Sequence, residues 1–154
     1  MRFILIDKIV ALESGKEAKA VKGLSLAEEY LADHFPTFPV LPGVLLLQGI
    51  IETASWVVRE SQDFANSMIL LETARNVKYK SFLAPGSQIE YSVAAKSIEE
   101  KVSSFRGFGS VQCEHIVEAR VTLRHFNLAD RDPAMADIDG RIVESLKGRW
   151  KLLR

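Results

Sequence analysis

His34, Gly43, Gln48 and Glu52 are the residues whose types and spacing suit proton chemistry next to a carbonyl group. They lie in DHFPTFPVLPGVLLLQGIIETASW, residues 33–56, where a histidine and Pro36, Pro39 and Pro42 precede a glycine and an apolar run. Pro42 suits the start of a helix, where the N–H it lacks would have no partner. Gly43 lets another group come close to the backbone. The free N–H groups of a helix start, together with its dipole, can hold an oxyanion or polarise a carbonyl. A histidine held nearby in a proline-braced loop is suited to take a proton from the carbon beside that carbonyl. The same residues also fit a structural role, with His34 packed in a stiffened loop.

Gln48 and Glu52 are four residues apart and share one helical face. An amide can orient a hydroxyl, whereas a carboxylic acid can donate a proton and take it back. Both belong to a polar stripe, Gln48, Glu52, Ser55 and Arg59, spaced four, three and four. That stripe also reads as hydrogen-bonded or solvated surface with no chemical task.

The elements that must position these residues follow from pattern. FILIDKIVAL and KEAKAVKGLSL read as two strands joined at Ser14-Gly15. LAEEYLAD suits a short helix, and the three prolines rule out a regular helix through residues 33–42. From Gly43 a helix is expected to about Glu60, apolar on nearly every face of its first turns, as in a helix wrapped by other structure. SMILLETARNVKYKSF reads as a strand with a break near Ala74, and Pro85-Gly86 as a turn. In QIEYSVAAKS, Ile89, Tyr91 and Val93 fall on one face; residues 103–126 suit two strands, with Val117, Ala119, Val121 and Leu123 in phase. After Asn127 a linker rich in aspartate leads to Ile138, Ile142, Leu146 and Trp150 near helical spacing, an amphipathic helix with a basic end. Strands without intervening helices favour an antiparallel sheet and the α+β class, and the apolar helix needs a sheet curved around it.

Composition narrows the function classes. At 154 residues the chain suits one domain with a real core. Its 20 basic residues balance 20 acidic ones, against the basic excess usual where nucleic acid is the main partner. The single Cys113 can form no internal disulfide, which points to a reducing, cytoplasmic setting. The apolar run 44–51 is interrupted by Gln48 and is far shorter than the roughly 20 residues of a membrane span. Arg75, Lys78 and Lys80 suit a solvated strand edge or a contact with an acidic partner. His115, His125 and Cys113 stand outside any ligand or nucleophile cluster, and the two histidines read as structural or surface residues.

HFPTFPVLPGVLLLQ resembles the signature of the β-hydroxyacyl-acyl carrier protein dehydratases, in which His-Phe-Pro-Gly, two further prolines and Pro-Gly-Val lead into the central helix. FILIDKIVALESGKEAKAVKGLSL is similar to that family's opening hairpin, and NVKYKSFLAPGSQIEY to its strand-turn-strand after the helix. The resemblance implies a hotdog fold: an antiparallel sheet wrapped around one long central helix, here with an extra C-terminal helix. It implies a dehydratase-like domain over residues 1–126, with 127–154 a linker and helix packed on that domain or on a dimer.

The activity implied is dehydration of 3-hydroxyacyl thioesters to trans-2-enoyl thioesters, in fatty acid or related acyl biosynthesis, without metal or redox cofactor. The substrate would be a thioester of acyl carrier protein or coenzyme A, and the assembly a homodimer or higher homo-oligomer. By the same resemblance His34 matches the catalytic histidine and the Gly43 backbone the carbonyl-polarising helix start. Phe35, Pro42 and Val44, beside them, are the implied substrate contacts. Two positions depart from the pattern. Thr37 stands where glycine is usual, and Gln48, fourteen residues after His34, stands where the family has a carboxylate. Glu52, one turn or about 5.4 Å further on, is a candidate for the missing acid. Family sites draw histidine and carboxylate from different subunits, so a heterodimer with an acid-bearing paralogue is a second arrangement. Rival readings are a non-catalytic acyl-thioester-binding partner and a hotdog thioesterase.

Overall fold

The computed structural model describes residues 3–154; the first two residues of the domain expected over 1–126 lie outside the described residues. Six strands form one antiparallel sheet: β1 (Lys8–Glu13), β2 (Glu17–Gly23), β3 (Met68–Tyr79), β4 (Gln88–Ile98), β5 (Val102–Val111) and β6 (Glu114–Phe126). Their order is β1-β2-β4-β5-β6-β3, which leaves β1 and β3 at the edges. The helix α1 (Gly43–Ser61) lies against one face, and α2 (Ala136–Leu153) follows the last strand.

The inner face carries the expected alternation: Ile89, Tyr91 and Val93 on β4 and Val117, Ala119, Val121 and Leu123 on β6 are all buried. They enclose Leu46, Ile50, Ala54 and Val57 of α1 in one core. Helix and sheet approach closely where glycines stand between them, Gly49 on α1 and Gly107 on β5. A Cβ on Gly49 would lie 2.1 Å from the Tyr91 ring, and one on Gly107 would lie 2.3 Å from Ile50.

Several boundaries differ from expectation. The first strand begins at Lys8, not Phe3, although Leu5 and Ile6 are still buried. The short helix expected over LAEEYLAD is a 3-10 turn, Glu29–Ala32. The break expected in β3 near Ala74 is two register shifts that flank it, between Leu71 and Thr73 and between Arg75 and Lys78, and in the second Asn76 takes a φ of +53°. Asparagine tolerates that left-handed conformation better than the alanine two positions earlier would.

The stretch expected as a linker is two fastened 3-10 turns, Leu128–Asp130 and Pro133–Met135. Asp139, buried at the start of α2, accepts from Leu128 N at 2.9 Å, from Ala129 N at 2.8 Å and from the Ser67 hydroxyl. Burial would raise its carboxyl, but these bonds together hold it below the usual range. From that anchor α2 lays Leu146, Trp150 and Leu153 against Trp56, Ile6 and Ile9, with the two indole rings stacked at 5.6 Å.

His125 is not a surface residue. It continues the inner face of β6 and is buried beside Ser103. A carbonyl can only accept, so His125 Nδ1–H donates to Glu100 O at 3.4 Å, and Nε2 takes the Ser103 hydroxyl at 2.8 Å. Burial is the main cause that lowers its pKa; the charges of Arg59 and Lys101 add to it and the Glu100 carbonyl opposes. The unfolded chain therefore binds this proton more readily than the folded one. Stability should be full above the ordinary histidine value of about 6.5 and fall as pH drops below it toward the depressed folded-state value. Urea unfolding midpoints between pH 8 and 5 check this: His125→Asn should flatten that part of the profile, and an unchanged slope would refute the assignment.

Candidate active site

The loop before α1 is ordered by its own backbone. Phe38 N donates to Phe35 O at 2.8 Å across Pro36 and Thr37, a turn with proline at its second position. Phe35 takes a φ of +50° to enter it. Leu41 N donates to Leu83 O at 2.9 Å, tying the loop to the segment after β3. Within this frame half-buried His34 has its Nδ1 3.0 Å from the Val40 carbonyl oxygen. The acceptor fixes the tautomer: Nδ1 carries the proton, and Nε2 keeps a free lone pair. The Phe35 ring meets the imidazole edge-on at 4.6 Å.

Pro42, extended at φ −53° and ψ 136°, caps α1. Its carbonyl accepts from Leu45 N at 2.9 Å and Leu46 N at 3.3 Å. The N–H groups of Gly43 and Val44 find no acceptor among the described residues, as a helix start leaves them. Gly43 also sits beneath Tyr79 of β3; a Cβ there would lie 3.3 Å from the ring. Val44, Phe35, Phe38 and Phe82 are exposed around this helix start, the last two in edge contact at 6.0 Å.

Gln48, one turn on, is exposed at the rim of a small cavity of about 130 Å³. Glu52, Ser55, Trp56 and Arg59 line its α1 side, and Leu146 and Arg149 its α2 side. Beyond Gln48, the polar stripe is thus covered by the C-terminal helix. Arg149 lies 2.6 Å from the Glu52 carboxylate, and Arg59 sits over the Trp56 ring at 5.4 Å. Burial pushes the Glu52 carboxyl above its usual range, against the pull of Arg149 and Arg59. Burial also brings Arg59 down to about 10, with Arg149 adding and Glu52 opposing.

Within one chain the structure therefore forms two groups. His34 and Phe35 belong to the loop before α1, and Gly43 and Val44 open the helix with free N–H groups. Gln48 and Glu52 share a cavity that His34 does not line. Sequence reasoning passed over Val40, Tyr79 and Arg149. Tyr79 and Val40 have no local signal, since one acts through a ring from a distant strand and the other through its carbonyl. Arg149 carried a weak one, three residues after Leu146 on the inward side of an amphipathic helix.

Residues 1–122 match the family described as FabA-like domain. A 3-hydroxyacyl-[acyl-carrier-protein] dehydratase FabZ of Geobacillus thermodenitrificans is 28% identical over 129 residues, covering 84% of this chain and 87% of that protein. The FabZ of Wolbachia pipientis wMel is 28% identical over 120 residues, covering 78% and 84%. In structure, the dehydratase heterocomplex ApeI:P from Xenorhabdus doucetiae contains a chain with a TM-score of 0.71 at 17% identity, covering 86% of this chain and 90% of that one. Smu.793 from Streptococcus mutans, solved with acetyl CoA, has a TM-score of 0.59 at 10% identity over 81% and 92%. The solved structures share the hotdog architecture expected from the pattern of strands around one helix.

Proposed function

The chain belongs to the FabA-like family, and on that basis we propose that it dehydrates 3-hydroxyacyl thioesters, carried on acyl carrier protein or coenzyme A, to trans-2-enoyl thioesters. One observation carries this reading: the His34 ring, its Nδ1 tied to Val40, stands in the loop that leads into a helix start with free N–H groups. His34 Nε2 removes the proton from C2 while the Gly43 N–H draws electron density onto the thioester oxygen. The electron pair left on C2 forms the C2=C3 bond and expels the hydroxyl from C3. That hydroxyl must collect a proton to leave as water. Gln48 can orient it but has no proton to give, so delivery falls to the imidazolium that His34 has just become. The FabZ names of the relatives support the reaction class.

Gln48 favours a second reading of the assembly. In a single chain His34 does not line the cavity that Gln48 rims, and β3 is an edge strand with exposed Leu70, Leu71 and Tyr79. Such an edge calls for a partner strand. We infer that a second copy pairs there and brings its position 48 to the first copy's His34. A related chain with a carboxylate at that position would make one fully equipped mixed site. The Xenorhabdus doucetiae chain of the same fold is itself part of a dehydratase heterocomplex.

The test follows crotonyl- and longer enoyl-thioesters with the purified chain. Hydration to the 3-hydroxyacyl thioester supports the dehydratase reading. Free thiol release instead would identify a thioesterase. Acyl-pantetheine binding without turnover would assign the partner role.

A further inference from the structure

We propose that the outer face of the sheet holds a binding site for a small ligand bearing linked phosphate groups, built on Arg75, Arg106 and Arg120. The register places these residues in one row: Arg75 of β3 opposes Arg120 of β6, which opposes Arg106 of β5. All three are exposed, on the face away from α1, since their neighbours Val121 and Phe105 are buried on the inner one. Like charges directly opposite one another weaken a sheet. The cost is not offset inside the chain. Among the described residues none of the three has a carboxylate within salt-bridge distance, whereas Lys78 and Lys80 pair with Glu118 and Arg124 pairs with Glu72.

The row lies in a hollow of about 810 Å³, with Lys96 as a fourth cation. Thr73, Ser104 and Thr122 line the same space, the last two with their hydroxyls 3.5 Å apart, and Asn76 completes the wall on β3. Register shifts shape it: two in β3, at Leu71/Thr73 and Arg75/Lys78, and one in β4, at Ala95/Ser97. Bulges of this kind bend a strand and sharpen its twist. Arg106 is steadied over the Phe108 ring at 4.9 Å.

Charge and size select the ligand. Strands are about 4.8 Å apart, so three guanidinium groups span about 10 Å, a length that two or three linked phosphates can engage through paired N–H···O contacts. The hydroxyls suit further phosphate oxygens. A nucleic acid track fits poorly, because the same row turns acidic beyond Ala94, at Glu17 and then Glu13. A recessed, short basic stripe takes a compact anion.

Calorimetric titration at low salt, about 50 mM, with inorganic triphosphate, ATP and orthophosphate tests this. Triphosphate should bind at sub-millimolar concentration and orthophosphate at least about tenfold more weakly. Arg120→Gln should weaken triphosphate about tenfold or more, and Arg124→Gln, on the same strand and face but already paired, should not. ATP binding like triphosphate would show that phosphates are read whatever carries them, and tighter ATP binding would assign a nucleotide as the source. A second readout is thermal unfolding. Without ligand Arg120→Gln should melt above wild type, because a repulsion is gone, and triphosphate should raise the melting temperature of wild type and of Arg124→Gln more than that of Arg120→Gln. Absence of triphosphate binding, equal loss in Arg124→Gln, binding of poly-glutamate alone, or a ligand-free Arg120→Gln less stable than wild type would each overturn the proposal.

Discussion

Gln48→Glu is expected to raise turnover of enoyl and 3-hydroxyacyl thioesters by the purified chain about 10²–10⁴-fold, the usual worth of a positioned acid–base group. The gain comes from the second half of the reaction. With glutamine, the proton taken from C2 by His34 must also be the one handed to the departing hydroxyl. One ring then has to serve two carbons on a single tether. A carboxyl at position 48 divides the work, so that His34 removes one proton and the new carboxyl supplies the other. The gain must vanish when His34→Ala is added, because no base then opens the reaction. Position 48 is exposed at the rim of its cavity in the single chain, so a carboxylate there meets little desolvation cost until a second copy covers it. Glu52→Gln separates the two carboxylates. Held by Arg149 one turn away, Glu52 should contribute little, and Glu52→Gln in the Gln48→Glu background should retain most of the gain.

The same variants test whether the site is shared. Wild type has the base without the acid, and His34→Ala/Gln48→Glu has the acid without the base. Mixed after unfolding and refolding, the two should give a mixed dimer with one complete site, more active than either preparation alone. Activity no higher than the average of the two would place histidine and position 48 of each site in the same chain.

How much of this was legible depends on whether a feature is local. The start of α1 at Gly43 and the inward residues of β4 and β6 follow from proline, glycine and period two. His34 and the Gly43 backbone could be nominated from sequence because a motif within ten residues carries both. Parity along β6 extended one step past Leu123 would have placed His125 inside as well. What could not be read is what joins distant segments. The contact of Glu52 with Arg149 joins residues about two thirds of the chain apart, and it depends on Asp139 fastening α2 beside Ser67 and on the packing of Trp150 against Trp56. The arginine row needs the register of three strands. Alternation shows which face a residue takes, but the bulges in β3 and β4 decide which residues stand opposite one another.

Gly49→Ala should destabilise the fold by about 3 kcal/mol, the upper range for overpacking a filled core, although alanine favours a helix over glycine by about 1 kcal/mol. Sign and size follow from one contact. The added methyl would lie 2.1 Å from a Tyr91 ring carbon and 2.4 Å from its hydroxyl oxygen. The ring cannot step aside, since Tyr91 is fully buried at the middle of β4. Either α1 lifts from the sheet or β4 bends. Lifting would also move position 48, the residue just before Gly49, and with it any acid placed there. Tyr91→Leu alone should cost about 2–4 kcal/mol by leaving a cavity, but in the double variant the methyl enters that space. Urea unfolding of the four proteins should therefore show a coupling of about 2 kcal/mol in favour of the double variant. Simple additivity would mean that the helix seats without this contact. The close approach of Gly49 to Tyr91 would then not set the depth at which the helix start and position 48 sit over the sheet.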